Sequence, residues 1–332
     1  MTLPLAPTEQ TVPTGSDPFV SDMERVELLL ERLLAAKSFP SRLGTELLKA
    51  GGKRLRPRLC LLAYRSAASE EMVPVRLCQA AAALELLHLA TLVHDDVLDG
   101  SLLRRSRPSL NAVHGDGPAV LVGDFFFSRF LQAAAPLGGR ILSLLAETIA
   151  TVVEGELRQE HQRHNPALSE DEYFTIISQK TAALMAASCA VGALIAHAPQ
   201  RTYKALWQFG YHLGCAFQLQ DDILDYVGRP PLLGKPRGGD LAQGVITLPL
   251  IHALRDSSRR AQLREWLGQQ NLDPRTLEDI RLEVIQCGGV FYAEARVKAE
   301  LEQARAALSS LPPTAGRQGL EQLTLNLSRR QR

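Results

Sequence analysis

The chain has 332 residues, and 37 lysines and arginines against 36 aspartates and glutamates leave a formal charge of +1. Near-neutrality excludes a general nucleic-acid binder, which needs a basic surface to displace counterions. A composition 45% hydrophobic and 22% charged is that of a folded globular chain, and the 5% of aromatics favours helices over sheets.

Residues 1–20 combine Pro, Thr and Ser without the basic and apolar regions of a signal peptide, and read as a flexible tail. Residues 21–332 read as one domain. Apolar positions recur at helical spacing over 22–36, followed by Pro40. After Gly51-Gly52 a helix is predicted over 53–64, then a long apolar one from about Pro74 to Asp99. Further helical patterns cover 118–134, 138–163, 169–197, 201–227, 246–268, 275–286, 290–310 and a last element near 315–330. With almost no period-2 alternation and no low-complexity linker, the expected fold class is all-α and single-domain. Residues 181–198 carry no Asp, Glu, Lys or Arg, but their Ala, Ser, Gly and Cys content predicts a packed core helix and no transmembrane span. Cys60, Cys78, Cys189, Cys215 and Cys287 form no C-x-x-C pair, so reduced thiols and a cytoplasmic location are expected.

The main signal is an acidic pattern that occurs twice, as His94-Asp95-Asp96-Val97-Leu98-Asp99 and Gln220-Asp221-Asp222-Ile223-Leu224-Asp225. Each copy ends a long apolar stretch, and 221 − 95 places them 126 residues apart. On a helix Asp95 shares a face with Asp99, and Asp221 with Asp225. Like charges at that spacing repel and call for cations. One copy reads as a solvated helix end; two in matching contexts read as a site. Oxygen donors without a His or Cys cluster point to a hard ion, Mg²⁺ with Mn²⁺ as substitute, and two such rows suggest a diphosphate held through metal.

Lysine is scarce, with seven in the chain, so each position is informative. Lys53 and Arg56 stand at a predicted helix start, where N–H groups favour anions. Arg104-Arg105 follows the first acidic cluster, Lys180-Thr181 opens the charge-free stretch, and Lys235 lies in the Gly/Pro loop after the second cluster. Any one of these alone reads as a solvated surface cation. His88 is seven residues before Asp95 on about the same face, open to a core role or a phosphate-binding one. With Glu85 it forms an E-x-x-H, the unit of di-iron bundles, but the second copy that such a centre needs is absent.

Over residues 22–330 the chain resembles the trans-isoprenyl (polyprenyl) diphosphate synthases. The resemblance rests on GGKRLRP (51–57), HLATLVHDDVLD with LLRR (88–105), LVGDFFFSR (121–129), KTAAL (180–184), FQLQDDILD (217–225) and GKPRGGDLAQGVITLPL (234–250). It implies the isoprenoid (terpene) synthase fold, a helical bundle around a deep central cavity, and a homodimer. It also implies a transferase that joins isopentenyl diphosphate to an allylic diphosphate. By matching positions, Asp95, Asp99 and Asp221 would ligate Mg²⁺, with Asp96, Asp222 and Asp225 supporting them. Arg104, Lys180 and Lys235 would hold the allylic diphosphate, and Lys53, Arg56, His88 and Arg105 isopentenyl diphosphate. Thr181 and Gln218 would direct oxygen dipoles at the allylic cation. A non-catalytic partner subunit is disfavoured because these residues are present, and a class I terpene cyclase because the second D-D-x-x-D is kept.

Two features qualify the resemblance. Where the family often has Lys, this chain has Val245, and Ser106-Arg107 stands where Gly-Lys is common. The growing product should run down the helix before Asp95, where five residues span roughly 7–8 Å. That path holds Ala90 and Thr91 with Leu87 one turn deeper, rather than a large aromatic, so a product longer than farnesyl is expected. Phe125, Phe126 and Phe127 offer a deeper floor, against an expected role as packed core. Because Val245 removes a cation while Lys235 remains, allylic binding should be weakened rather than lost. Val245→Lys is therefore expected to lower the allylic KM in steady-state kinetics.

Overall fold

The computed structural model describes residues 18–35, 38–68, 72–104, 107–228, 238–269 and 272–329. The described chain is built almost wholly of helices. Helix α1 spans Pro18–Leu34, α2 Phe39–Lys49, α3 Leu55–Ala67 and α4 Val75–Leu98. Then come α5 (Leu110–His114), α6 (Asp116–Ala134), α7 (Gly139–His161), α8 (Glu170–Ile177), α9 (Ala183–Ile195) and α10 (Gln200–Val227). The C-terminal part holds α11 (Gly239–Ala242), α12 (Leu248–Asp256), α13 (Arg260–Leu267), α14 (Pro274–Gln286), α15 (Gly289–Leu308) and α16 (Ala315–Ser328).

Most boundaries follow the apolar period, and the departures have local causes. Helix α1 begins at Pro18, three residues inside the expected tail. Pro40 does not end a helix but sits in the first turn of α2, where its missing N–H costs nothing. The stretch expected as one helix over 246–268 is two, because the chain is extended at Ser257. Ser257 there donates to Glu283 at 2.6 Å. A two-stranded ribbon follows α4, with Leu103 opposite Pro108 and Arg104 opposite Arg107.

Two apolar clusters make the core. One packs α1, α2, α4, α6 and α7 together, and the other joins α8, α9 and α10 to the C-terminal helices. Helices α3 and α9 contribute to both. Helix α4 is buried nearly all round from Leu77 to Ala90, which explains its lack of a clear polar stripe. Val75–Leu98, Asp116–Leu137 and Glu170–Ile195 are long and apolar enough to cross a membrane. The apolar windows of the first and third are 72% and 67% buried within the fold, against 39% for the second. The charge-free residues 183–195 are almost wholly buried core. Four of the cysteines are buried, Cys287 is half-buried, and all five are free thiols.

Close helix approach fixes the crossing of α9 and α10. A Cβ on Gly214 would fall 2.5 Å from Ala182 Cα, and one on Gly210 2.6 Å from the Met185 carbonyl oxygen. Gly214→Ala should therefore cost about 1–3 kcal/mol through overpacking. Urea titration is expected to show a lower midpoint with an unchanged m-value.

Candidate active site

The ends of α4 and α10 carry the two acidic motifs, and one cavity of about 90 Å³ collects their side chains. Asp99 from the first motif and Asp222 from the second both line it, with Lys180, Gln218, Tyr173, Asp240 and Val245. Asp99 closes α4 as its C-cap, and its N–H still donates to the Asp95 carbonyl at 2.8 Å, so the expected shared face is retained.

Most of these carboxylates have a dedicated protein donor. Asp96, 6% exposed, accepts the Nε–H of Arg104 at 2.9 and 3.1 Å, with Nη2 also donating to it. Asp99 accepts from Arg163 Nη2 at 2.8 Å. Asp222, 3% exposed, accepts from the Tyr173 hydroxyl at 2.5 Å and from Gln218 Nε2 at 2.8 Å. Asp225 accepts the backbone N–H groups of Gly239 and Asp240 at 3.2 and 3.1 Å, which ties α11 to α10. Asp95 makes no side-chain hydrogen bond among the described residues.

Lys180 and Thr181 occupy a π turn, Ser178–Ala182, between α8 and α9. Such one-turn widenings recur at functional sites because they re-aim side chains without ending the helix. Here α7 holds the turn in place: a Cβ on Gly155 would fall 2.7 Å from the Lys180 backbone nitrogen. Lys180 Nζ donates to Glu156 Oε2 at 2.7 Å. Burial works against its charge, but Glu156, Asp95 and Asp99 outweigh burial and hold the ammonium above its ordinary pKa. Thr181 donates to Gln218 Oε1 at 2.7 Å, so the two expected oxygen dipoles are linked in one chain running on to Asp222.

Of the residues expected for the second diphosphate, Lys53, Arg56 and His88 do not line this cavity. Lys53 is exposed just before α3, Arg56 is half-buried in its first turn, and His88 is half-buried on α4, which packs on α3. Arg105 and Lys235 lie outside the described residues. Between the first two, Arg54 is buried with φ 46°, and it donates to Glu27 at 2.7 Å, Glu85 at 3.3 Å and the Leu48 carbonyl at 2.8 Å. Glu85 therefore serves an internal ion pair rather than a di-iron centre. Leu87 and Ala90 are buried at 3% and 2% exposure, and Thr91 is half-buried. Phe126 is fully buried core, with Phe125 and Phe127 packed beside it.

The donor set fits a hard divalent ion. Asp95 and Asp99, one turn apart, offer carboxylate oxygens, as does Asp221, half-buried on α10. No three His, Cys, Asp or Glu side chains among the described residues already converge as a closed metal cage. An ion here would complete its shell with phosphate oxygens and water, as Mg²⁺ commonly does. Burial, with Glu156 and Asp99 nearby, pushes Asp95 up to about 7, and burial with Asp240 nearby pushes Asp222 up to about 8.

Two acidic helix ends, a half-buried lysine and an oxygen dipole pair thus gather in one all-α fold. The model of the polyprenyl synthetase family matches residues 40–284, and the chain belongs to that family of prenyl-transferring enzymes. It is 36% identical over 294 residues to octaprenyl diphosphate synthase of Escherichia coli, covering 88% of this chain and 90% of that one. Component 2 of heptaprenyl diphosphate synthase from Geobacillus stearothermophilus is 38% identical over 93% of this chain and 96% of its own. The structure of a polyprenyl synthase from Caulobacter crescentus, complexed with calcium and isoprenyl diphosphate, superposes with a TM-score of 0.87. That match is at 34% identity and covers 97% of this chain and all of the other. Enzymes of the family depend on divalent metal.

The raised carboxylates set the sign of a pH effect. Metal-free, the folded chain holds protons on Asp95 and Asp222 that the unfolded chain releases near 3.8, so their contribution to stability falls as pH rises through about 7 to 8. Binding of a metal ion by Asp95 must expel its proton. The rise in melting temperature on adding Mg²⁺ is therefore expected to be larger at pH 8 than at pH 6 in thermal scans.

Proposed function

We propose that the chain condenses isopentenyl diphosphate with an allylic diphosphate, head to tail and in trans, releasing diphosphate. The product is a medium- to long-chain all-trans polyprenyl diphosphate, geranylgeranyl or longer. The observation that carries this reading is one cavity lined by Asp99 from the first acidic motif, Asp222 from the second and Lys180 from the π turn.

In this reading Asp95, Asp99 and Asp221 hold Mg²⁺, which when bound supplies the charge that stabilises the departing diphosphate. Lys180 holds that diphosphate directly, together with Lys235, and exchanges its Glu156 partner for a phosphate oxygen. Arg104, already forked onto Asp96, orients that carboxylate and faces the same anion. Tyr173 and Gln218 keep Asp222 fixed, and the Thr181–Gln218 pair presents its remaining oxygen lone pairs to the allylic cation. Isopentenyl diphosphate sits on Lys53, Arg56, His88 and Arg105, and adds through its double bond. The released diphosphate takes the proton, since the reading assigns no side chain as base.

Helix α6 leaves Val120, Leu121 and Leu131 exposed, and α7 leaves Val153 and Leu157 exposed, a surface suited to a second copy in a homodimer. Buried free thiols suit the reducing cytoplasm. The product runs along α4 past Thr91, Ala90 and Leu87, with no aromatic at those positions to stop it early.

The decisive experiment incubates the purified protein with Mg²⁺, labelled isopentenyl diphosphate and geranyl, farnesyl or geranylgeranyl diphosphate, then chromatographs the products. Products beyond farnesyl are expected from the wild type, with shorter ones from Ala90→Phe. No elongation by the pure protein, but elongation on adding a second subunit, would establish a partner role instead. An unchanged product profile in Ala90→Phe would sink the placement of the tunnel.

A further inference from the structure

Among the described residues, the lining of the cavity between the acidic motifs carries more acidic than basic side chains. Its lining carries the carboxyl groups of Asp99, Asp222 and Asp240. Lys180 is the one lysine or arginine among its described lining residues, and it is already paired with Glu156 at 2.7 Å. Position 245, on the same wall, is valine. A diphosphate drawn into this space would gain from a further cation beside Arg104 and Lys235.

Arg163 stands at the edge of that wall, two residues after α7. Its Nη2 donates to Asp99 Oδ1 at 2.8 Å, and its Nη1 donates to the carbonyl oxygen of Gln243 at 3.3 Å, two residues before Val245. Asp99, Gln243 and Val245 all line the cavity, so the guanidinium lies between the first acidic motif and the turn that carries Val245. The surrounding backbone holds it there. The His164 N–H donates to the Gly244 carbonyl at 2.8 Å, Gln243 Nε2 donates to the Asp99 carbonyl at 3.2 Å, and the Val245 N–H donates to the Asp240 carbonyl at 2.8 Å. The Arg163 side chain is 17% exposed, and its further ion-pair partner, Glu160, is 63% exposed. Without Asp99 this half-buried guanidinium would keep only the exposed Glu160 as an anionic partner, so a second anion at Nη2 would be favoured.

We propose that Arg163 is a diphosphate-binding residue, supplying from the loop after α7 the cation that position 245 lacks. The assignment rests on the prenyl-transfer reading. In the metal-free chain Asp99 neutralises Arg163. When Asp99 serves a metal ion, the guanidinium passes to a phosphate oxygen while keeping the Gln243 carbonyl, an exchange for which its planar fork of donors is suited. Arg163 and a lysine at 245 are then two routes to one interaction, reached from different segments.

That equivalence makes the test a double-mutant cycle of wild type, Arg163→Gln, Val245→Lys and the double variant. Arg163→Gln is expected to raise the allylic KM roughly 10-fold or more, the loss of a charged hydrogen bond. Calorimetry should show inorganic diphosphate binding in Mg²⁺ weakened by a similar factor, with the KM for isopentenyl diphosphate little changed. Val245→Lys should recover much of that loss in the Arg163→Gln background and give a smaller gain in the wild type. Arg163→Lys should keep most of the affinity. Unchanged allylic KM and diphosphate affinity in Arg163→Gln would overturn the proposal. So would multiplicative effects without rescue, or equal losses for both substrates together with an equal drop in melting temperature in Arg163→Lys and Arg163→Gln. A wild type that neither binds diphosphate with Mg²⁺ nor extends any primer would overturn the prenyl-transfer reading, and this assignment with it.

Discussion

Six carboxylates terminate two long helices of the core, and their mutual repulsion is the constraint that the surrounding structure answers. Burial makes it sharper, since a desolvated carboxylate loses hydration as well as distance from its neighbours. The fold responds one residue at a time. Asp96 is held by Arg104, Asp99 by Arg163, Asp222 by Tyr173 and Gln218, and Asp225 by the backbone N–H groups that open α11. Asp95 and Asp222 are both raised by burial, with Glu156 beside the first and Asp240 beside the second. The site is consequently built to gain from any ligand that brings cations.

The same economy explains the backbone around it. A π turn brings Lys180 to the cavity and Thr181 to Gln218, and glycines at 155 and 214 let α7 and α10 close on that turn from both sides. Side chains at these positions would hold the helices further apart and lengthen the Thr181–Gln218 bond that crosses between them. Stability and function draw here on the same contacts. The tight crossing that buries α9 also spaces the polar groups that meet the substrate.

The helices were legible wherever the apolar period was long, as in α7 and α10, because burial of one face leaves a repeating mark, while α4 showed as a long apolar run. Short elements were not. Proline opens a helix as readily as it follows one, so Pro40 hid α2, and the extended residue Ser257 divided a continuous apolar pattern into α12 and α13. Among site residues, the paired aspartates announced themselves by repetition. Glu156, Tyr173, Arg163 and Arg54 carried no such signal. Each is an ordinary polar residue whose partner lies 24, 49, 64 or 27 to 31 positions away.

The sequence alone determined the fold class, the two acidic helix ends and the kind of ligand they could tolerate, because periodicity and charge spacing are local properties of a helix. Through the family resemblance it also marked Val245 as standing where a lysine is common. Only the tertiary structure decided which donor answers which carboxylate, and that Arg163 lies beside that position. Those pairings follow from how α4, the end of α7 and the turn before α12 pack together, a juxtaposition that no local spacing encodes.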